Sequence, residues 1–228
     1  MPISTKKEAR PRGRPRAYDS EQALADARDV FWRGGYAGTS LDQLSAATGM
    51  NRPSLYNAFG DKHALYLTAL ERYLEAGRLA MVSALGEDQS LPQALLRVYD
   101  GALAWYFPVD GDPLGCFMIG TAAVEAVADS EVRTALAEGL RTYDQAFERR
   151  FKQAQTSGEL PAHAEPALLA KIASSILHSL ALRARAGDTR ASLRATAVAG
   201  VALMCGDAGA KHVDQLITTS HSTNRHRA

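Results

Sequence analysis

Apolar residues recur at helical spacing through most of the chain and no stretch alternates as a strand does, so the pattern predicts an all-α fold. Leu24, Ala27, Val30 and Phe31 share one face of a first helix, capped by Asp19 or Ser20 and ended by Gly34-Gly35, with Trp32 expected at its edge. Leu41, Leu44 and Ala47 mark a short second helix, and Leu55 and Phe59 a short third. A long fourth helix follows Lys62 to near Gly86 on Leu65, Leu67, Leu70, Leu74, Leu79 and Val82. Pro92 opens a fifth helix containing Leu95, Val98 and Leu103, which Pro108 and the turn at 110–113 terminate. Helices at 115–128, 132–155, 166–186 and 189–205 complete the pattern. Residues 1–17 and 207–228 lack apolar periodicity and read as a basic arm and a polar tail.

The interval 41–62 has the layout of two short helices joined by a tight turn, the arrangement that lays its second helix in a DNA major groove. Small Ser45 and Ala46 leave room where the helices meet. Gly49 supplies the positive φ of a sharp helix exit, and Met50 plugs the angle between the helices. Asn51 suits an N-cap, and Pro53 is tolerated in the first turn of the next helix. With Leu55 and Phe59 inward, Arg52, Ser54, Tyr56 and Asn57 fall on or beside the outer face.

Three strings carry a family likeness: Gly35-Tyr36-Ala37-Gly38-Thr39-Ser40-Leu41; Leu55-Tyr56 with Phe59; and Asp61-Lys62 opening a long helix with Ala64-Leu65. On these the first third of the chain resembles the TetR family of one-component transcriptional repressors. Gly158-Glu159-Leu160-Pro161 before an alanine-rich helix is also similar to the hairpin preceding the dimerising helices of such proteins. The resemblance implies a three-helix DNA-binding head at 18–62. A long helix then leads into a ligand-binding and dimerisation bundle at 63–206. It also implies that Tyr56 and Lys62 hold phosphates, although Asn57-Ala58 stands where the family often has a histidine or aromatic residue.

At 46% hydrophobic and 22% charged residues, the 228-residue chain has the composition of an ordinary globular protein. The overall charge of +1 hides an asymmetry, because residues 1–16 carry six Lys or Arg against Glu8. Arg12, Arg14 and Arg16 lie in Arg-Gly-Arg-Pro-Arg, either a peptide that runs along an A·T-rich minor groove or a basic tail that touches phosphates without preference. Residues 17–62 hold four Lys or Arg against six Asp or Glu, so nonspecific attraction must come from the arm and specificity from few contacts. Arg52 suits base reading because its fork takes guanine O6 and N7 together. Pro53 can pack on a thymine methyl, Ser54 and Asn57 reach base edges or phosphates, and Thr39 or Ser40 caps the second helix and faces a phosphate.

A sensor site is expected between helices of the second layer, lined by Trp105, Tyr106, Cys116, Phe117, Met118, Tyr143, Phe147 and His178. Aromatic residues at helical spacing also build plain core, and a lone histidine on an apolar helix is as readily a core residue. Gly115-Cys116 resembles the place of the reactive cysteine in electrophile-sensing relatives, where a helix N-terminus lowers a thiol pKa; Cys116 beside Phe117 and Met118 equally reads as a small buried hydrophobe. The resemblance implies a four-helix bundle between two subunits, with Ile172, Ile176, Leu180, Val198 and Val201 at the interface.

Cys116 and Cys205 lie far apart without metal-type spacing, so neither a metal nor a disulfide framework is expected, and no cofactor. The longest apolar run, 195–205, is short of the ~20 residues of a membrane span, and the basic N-terminus has no apolar segment of the signal-peptide kind. The expectation is a cytoplasmic homodimer that binds a palindromic double-stranded operator and leaves it on binding a small-molecule effector. A constitutive architectural DNA-binding protein is the alternative, and no catalytic spacing suggests an enzyme.

Overall fold

The computed structural model describes residues 19–206 except 87 and 110. Arg12, Arg14, Arg16 and the tail at 207–228 lie outside the described residues. Every regular element among those described is helical.

The head contains α1 (Ser20–Gly38), α2 (Leu41–Thr48) and α3 (Arg52–Phe59). Asp19 caps α1 by accepting from the N–H groups of Glu21 and Gln22. The helix kinks at Gly35, whose φ of 72° with ψ of 171° only glycine adopts readily, so the regular part ends where the paired glycines predict. Ala27, Phe31, Leu44 and Leu55 meet in the core of the head, and Met50 closes the angle between α2 and α3.

The body begins with α4 (Lys62–Ala84), capped by Asp61. Leu65, Tyr66, Ala69, Leu70 and Tyr73 turn inward, whereas Leu79 and Val82, expected on the same apolar face, are exposed. After α5 (Leu91–Tyr106) the chain crosses back, and the expected sixth helix departs from regularity. Its five residues Met118–Ala122 wind as a π turn before the short α6 (Ala123–Glu125). Thr121 donates back to the Phe117 carbonyl and shares a hydrogen bond of 2.8 Å with the Tyr66 hydroxyl, so the turn is tied to α4. The long α7 (Ser130–Thr156), then α8 (Pro166–Arg185) and α9 (Arg190–Cys205), complete the bundle.

Head and body share a continuous core. Trp32, expected at an edge, is enclosed at this joint: its indole N–H donates to the Leu114 carbonyl at 3.2 Å, and its ring packs on Tyr73 and Phe117. Arg185 reaches from the end of α8 to the carbonyls of Trp32 and Leu114. Nearby, His63 at the start of α4 meets Asp129 at 2.6 Å. The N–H of Val132 first, then His63, hold the Asp129 carboxyl below the usual carboxylate range.

Candidate DNA interface and candidate effector cavity

Local capping sets the geometry of the DNA-facing helices. Ser40 closes a capping box on α2: its hydroxyl accepts from the Gln43 N–H, and the Gln43 side chain accepts from the Ser40 N–H at 2.7 Å. Thr39 is therefore not the cap. It is buried, and its hydroxyl donates to the Gly35 carbonyl at 2.7 Å, which bends the chain back onto α1 and leaves that hydroxyl unavailable to a phosphate. Gly49 ends α2 in the left-handed region, and Asn51 accepts from the Ser54 N–H at 2.9 Å to start α3.

The first turn of α3 carries no carboxylate, unlike those of α1 and α2, so the positive end of its dipole is not offset locally. Arg52, Pro53, Tyr56 and Asn57 are exposed together on that helix, with Ser54 half-buried beside them. The Arg52 fork is engaged, its Nη2 2.6 Å from Asp42 on α2. Both side chains are more than half exposed, and a surface pair of this kind contributes only about 0–1 kcal/mol, which a guanine edge can replace. Lys62 lies with its ammonium 4.4 Å from the Tyr36 ring centre, a cation–π seat that holds it at the end of the head.

The second site is a cavity of about 100 Å³ between α4 and α5, floored by Cys116 and by residues of α7 and α8. Trp105, Tyr106, Cys116, Tyr143 and His178 all line it, so five of the eight expected effector residues converge. Phe117, Met118 and Phe147 do not. They are fully enclosed in the surrounding core, where Phe117 packs against Trp32, Tyr66 and Tyr73. The α4 wall of Tyr73, Gly77 and Met81 and the α5 contribution of Arg97, Gly101 and Ala102 were not anticipated. A signal for them exists in the helically spaced small residues Gly77, Ala80 and Ala84, which leave a hollow on one helix face.

The cavity is chemically mild. Burial raises the pKa of Tyr73, Tyr106 and Tyr143, so each hydroxyl stays protonated. Burial likewise lowers the pKa of His178, against a smaller opposing pull from Asp144, so its ring stays neutral. Burial pushes the Cys116 thiol up as well, although the Tyr73 hydroxyl, 3.3 Å from Sγ, and the Ile119 and Met118 N–H groups pull partly the other way. The expected lowering of this thiol by a helix N-terminus is thus outweighed by desolvation.

A third feature is the outer face of α8 and α9. Ile172 and Leu168 on α8 and Leu203 on α9 are exposed, and Ile176 and Val198 are half-buried. Leu180 and Val201, expected beside them at an interface, instead have no exposed surface and point into their own bundle. Helical phase is the reason: Leu180 continues the inward row of Ala173, Leu177 and Ala184. Among the described residues α8 alone has the length and composition of a membrane span, with a mean hydropathy of 1.3. The apolar residues on its uncovered face contribute to that value.

A helix-turn-helix head carried on a helical body defines a DNA-binding regulator, and the comparisons agree. The family description "Bacterial regulatory proteins, tetR family" matches residues 23–69, and "Tetracyclin repressor-like, C-terminal domain" matches 93–199. The chain belongs to the TetR family of DNA-binding transcriptional regulators. It is 30% identical over 176 residues to the HTH-type transcriptional repressor ComR of Escherichia coli K12, covering 77% of this chain and 84% of ComR. The repressor BdcR of the same organism is 29% identical over 202 residues, 87% of this chain and 96% of BdcR. Among solved structures, a cysteine mutant of the TetR family regulator CifR complexed with 26-bp double-strand operator DNA superimposes with a TM-score of 0.71 at 30% identity, over 82% of this chain and 98% of CifR.

Proposed function

We propose that the chain is a homodimeric transcriptional repressor that releases a palindromic operator when a small molecule fills the α4–α5–α7–α8 cavity. The observation that carries this reading is the cavity itself: an architectural protein without an effector has no use for a 100 Å³ hollow inside the helical body. The repressor names of ComR and BdcR and the operator complex of CifR support repression by operator binding. The functional division is a basic arm at 1–17, a DNA-binding head at 18–62, an effector and dimer body at 63–206 and a tail beyond. Arg52 reads a base, with Pro53, Ser54 and Asn57 beside it. Ser40, Tyr56 and Lys62 hold phosphates, and Arg12, Arg14 and Arg16 supply the nonspecific attraction. Two heads related by a two-fold axis meet half-sites about 34–36 Å apart. A protein that works on chromosomal operators works in the cytoplasm.

The dimer is formed by the uncovered face of α8 and α9, where an Asp at Ile172 places an unpaired charge in an apolar interface. Sedimentation should find the parent dimeric at micromolar concentration and Ile172→Asp monomeric but folded, with operator affinity lost in parallel. A monomeric parent refutes the palindromic reading. Val201 is unsuited to this test because a charge there disrupts the protomer core.

A further inference from the structure

Building on the reading of this cavity as the effector site, we propose that its ligand is a neutral, compact molecule with a hydrogen-bond-accepting oxygen, of the size and polarity of a small aromatic ketone, held without a covalent bond. A volume of about 100 Å³ is several times the roughly 10–15 Å³ that one water needs, which is room for a compact ligand of on the order of ten non-hydrogen atoms. The polar groups decide the rest. Among the described residues, the internal hydrogen bond made by a lining hydroxyl runs from Tyr73 to Cys116. Tyr106 and Tyr143 line the hollow, the Tyr143 oxygen lying beside Gly77, and His178 Nε2 is buried without a partner. A buried ring nitrogen without a partner is costly, and a ligand oxygen that accepts from the tyrosine hydroxyls and, in the tautomer protonated at Nε2, from His178 relieves that cost.

Charge complementarity weighs against the ionic alternatives. No carboxylate lines the cavity to receive an ammonium. Arg97 is its one cation, and it is exposed at the mouth between α4 and α5, where a pair with a carboxylate is screened by water. Cys116 makes part of the wall rather than a nucleophile: it is buried with its Sγ taken up by the Tyr73 hydroxyl at 3.3 Å, and burial favours the thiol over the attacking thiolate.

Gly77 is what keeps the polar end open. A Cβ at this position would come 2.5 Å from the Tyr143 oxygen, so the hydroxyl stands where a methyl would otherwise be. Gly77→Ala therefore displaces the Tyr143 hydroxyl without deleting any polar group, and the change favours the helix by about 1 kcal/mol, which keeps the variant folded.

The experiment titrates the full-length protein by calorimetry with four probes of one shape: acetophenone, ethylbenzene, benzoate and benzylamine. Acetophenone should bind once per chain and at least tenfold tighter than each of the others. Tyr143→Phe and Gly77→Ala should each bring the ketone within about threefold of the hydrocarbon, while Cys116→Ser leaves ketone binding unchanged and intact mass spectra show no adduct. Equal binding of ketone and hydrocarbon, preference for benzoate or benzylamine, a covalent adduct at Cys116, or no binding of any probe overturns the proposal. Operator retention is measured separately. Ketone binding that leaves the operator held refutes release by this cavity but not its chemistry, and release by a compound that does not compete with acetophenone places the effector elsewhere.

Discussion

In the head, each helix is started by the residue immediately before it: Asp19, Ser40, Asn51 and, at the exit into α4, Asp61 all accept from N–H groups two or three positions on. The cavity has no such local author. Its walls come from Tyr73, Trp105, Cys116, Tyr143 and His178, which only the packed bundle brings together. A surface made by neighbours in sequence keeps its shape through movements of the whole, whereas a hollow made by distant helices changes shape whenever they shift. In the proposed function, DNA reading and effector sensing fall to structures of opposite mechanical character, joined at Trp32, Tyr66 and His63.

The strongest way to break this contrast is to hollow out the joint. Phe31 is fully buried and packs edge-on against Tyr66. Phe31→Ala should destabilise the head by about 3–5 kcal/mol, seen as faster amide exchange in α1–α3 with α7 still protected. Equal loss of protection in α7 would show that the two regions do not open separately. Asn51→Ala removes the α3 cap and should cost about 1 kcal/mol of stability, weakening operator binding while leaving acetophenone affinity within twofold. A parallel loss of ligand binding would erase the distinction between local and distant construction.

Protonation sharpens the comparison from the cavity side. Burial holds the folded-state pKa of His178 below its value of about 6.5 in an unfolded chain, so the unfolded state takes the proton first. Stability from this group is full above about pH 6.5 and falls as pH drops below it, toward the lower folded-state pKa. His178→Asn should flatten the decline between pH 7 and 5 in denaturant titrations; an unchanged decline assigns it to other groups. The smallest effect belongs to Asp42→Asn, which frees the Arg52 fork. Stability should change by at most about 1 kcal/mol, and operator affinity should rise by a few fold without altering the preferred sequence. A changed sequence preference would mean that Asp42 itself aims Arg52.

The head was legible because its rules act over three or four residues. Gly49, Asn51 and Pro53 announce a turn and a helix start by their own conformational preferences, and the structure places them in those roles. Thr39 and Ser40 stay tied as caps in the sequence because both residue types cap well; the tie is broken by the Gly35 carbonyl, which takes the Thr39 hydroxyl and leaves the cap to Ser40. In the body, helix positions followed the apolar period, but which apolar residues face a hollow, a core or solvent depends on the angles between helices. Hence Tyr106 and Tyr143 belong to the cavity while Phe117 and Phe147 belong to the core, although all four look alike in sequence. Leu180 and Val201 illustrate the same limit, since small differences in helical phase separate an inner from an outer face.

The Leu114 carbonyl accepts from two donors at once, the Trp32 indole and the Arg185 guanidinium. A carbonyl oxygen has two lone pairs, so this one is saturated, and a water can enter only by evicting a donor. The Trp32 indole proton is consequently a clock for the joint between head and body. Its exchange with solvent should be slow while both donors hold Leu114 and should quicken if the Leu114–Cys116 stretch moves, so one resolved resonance would time any parting of head and body.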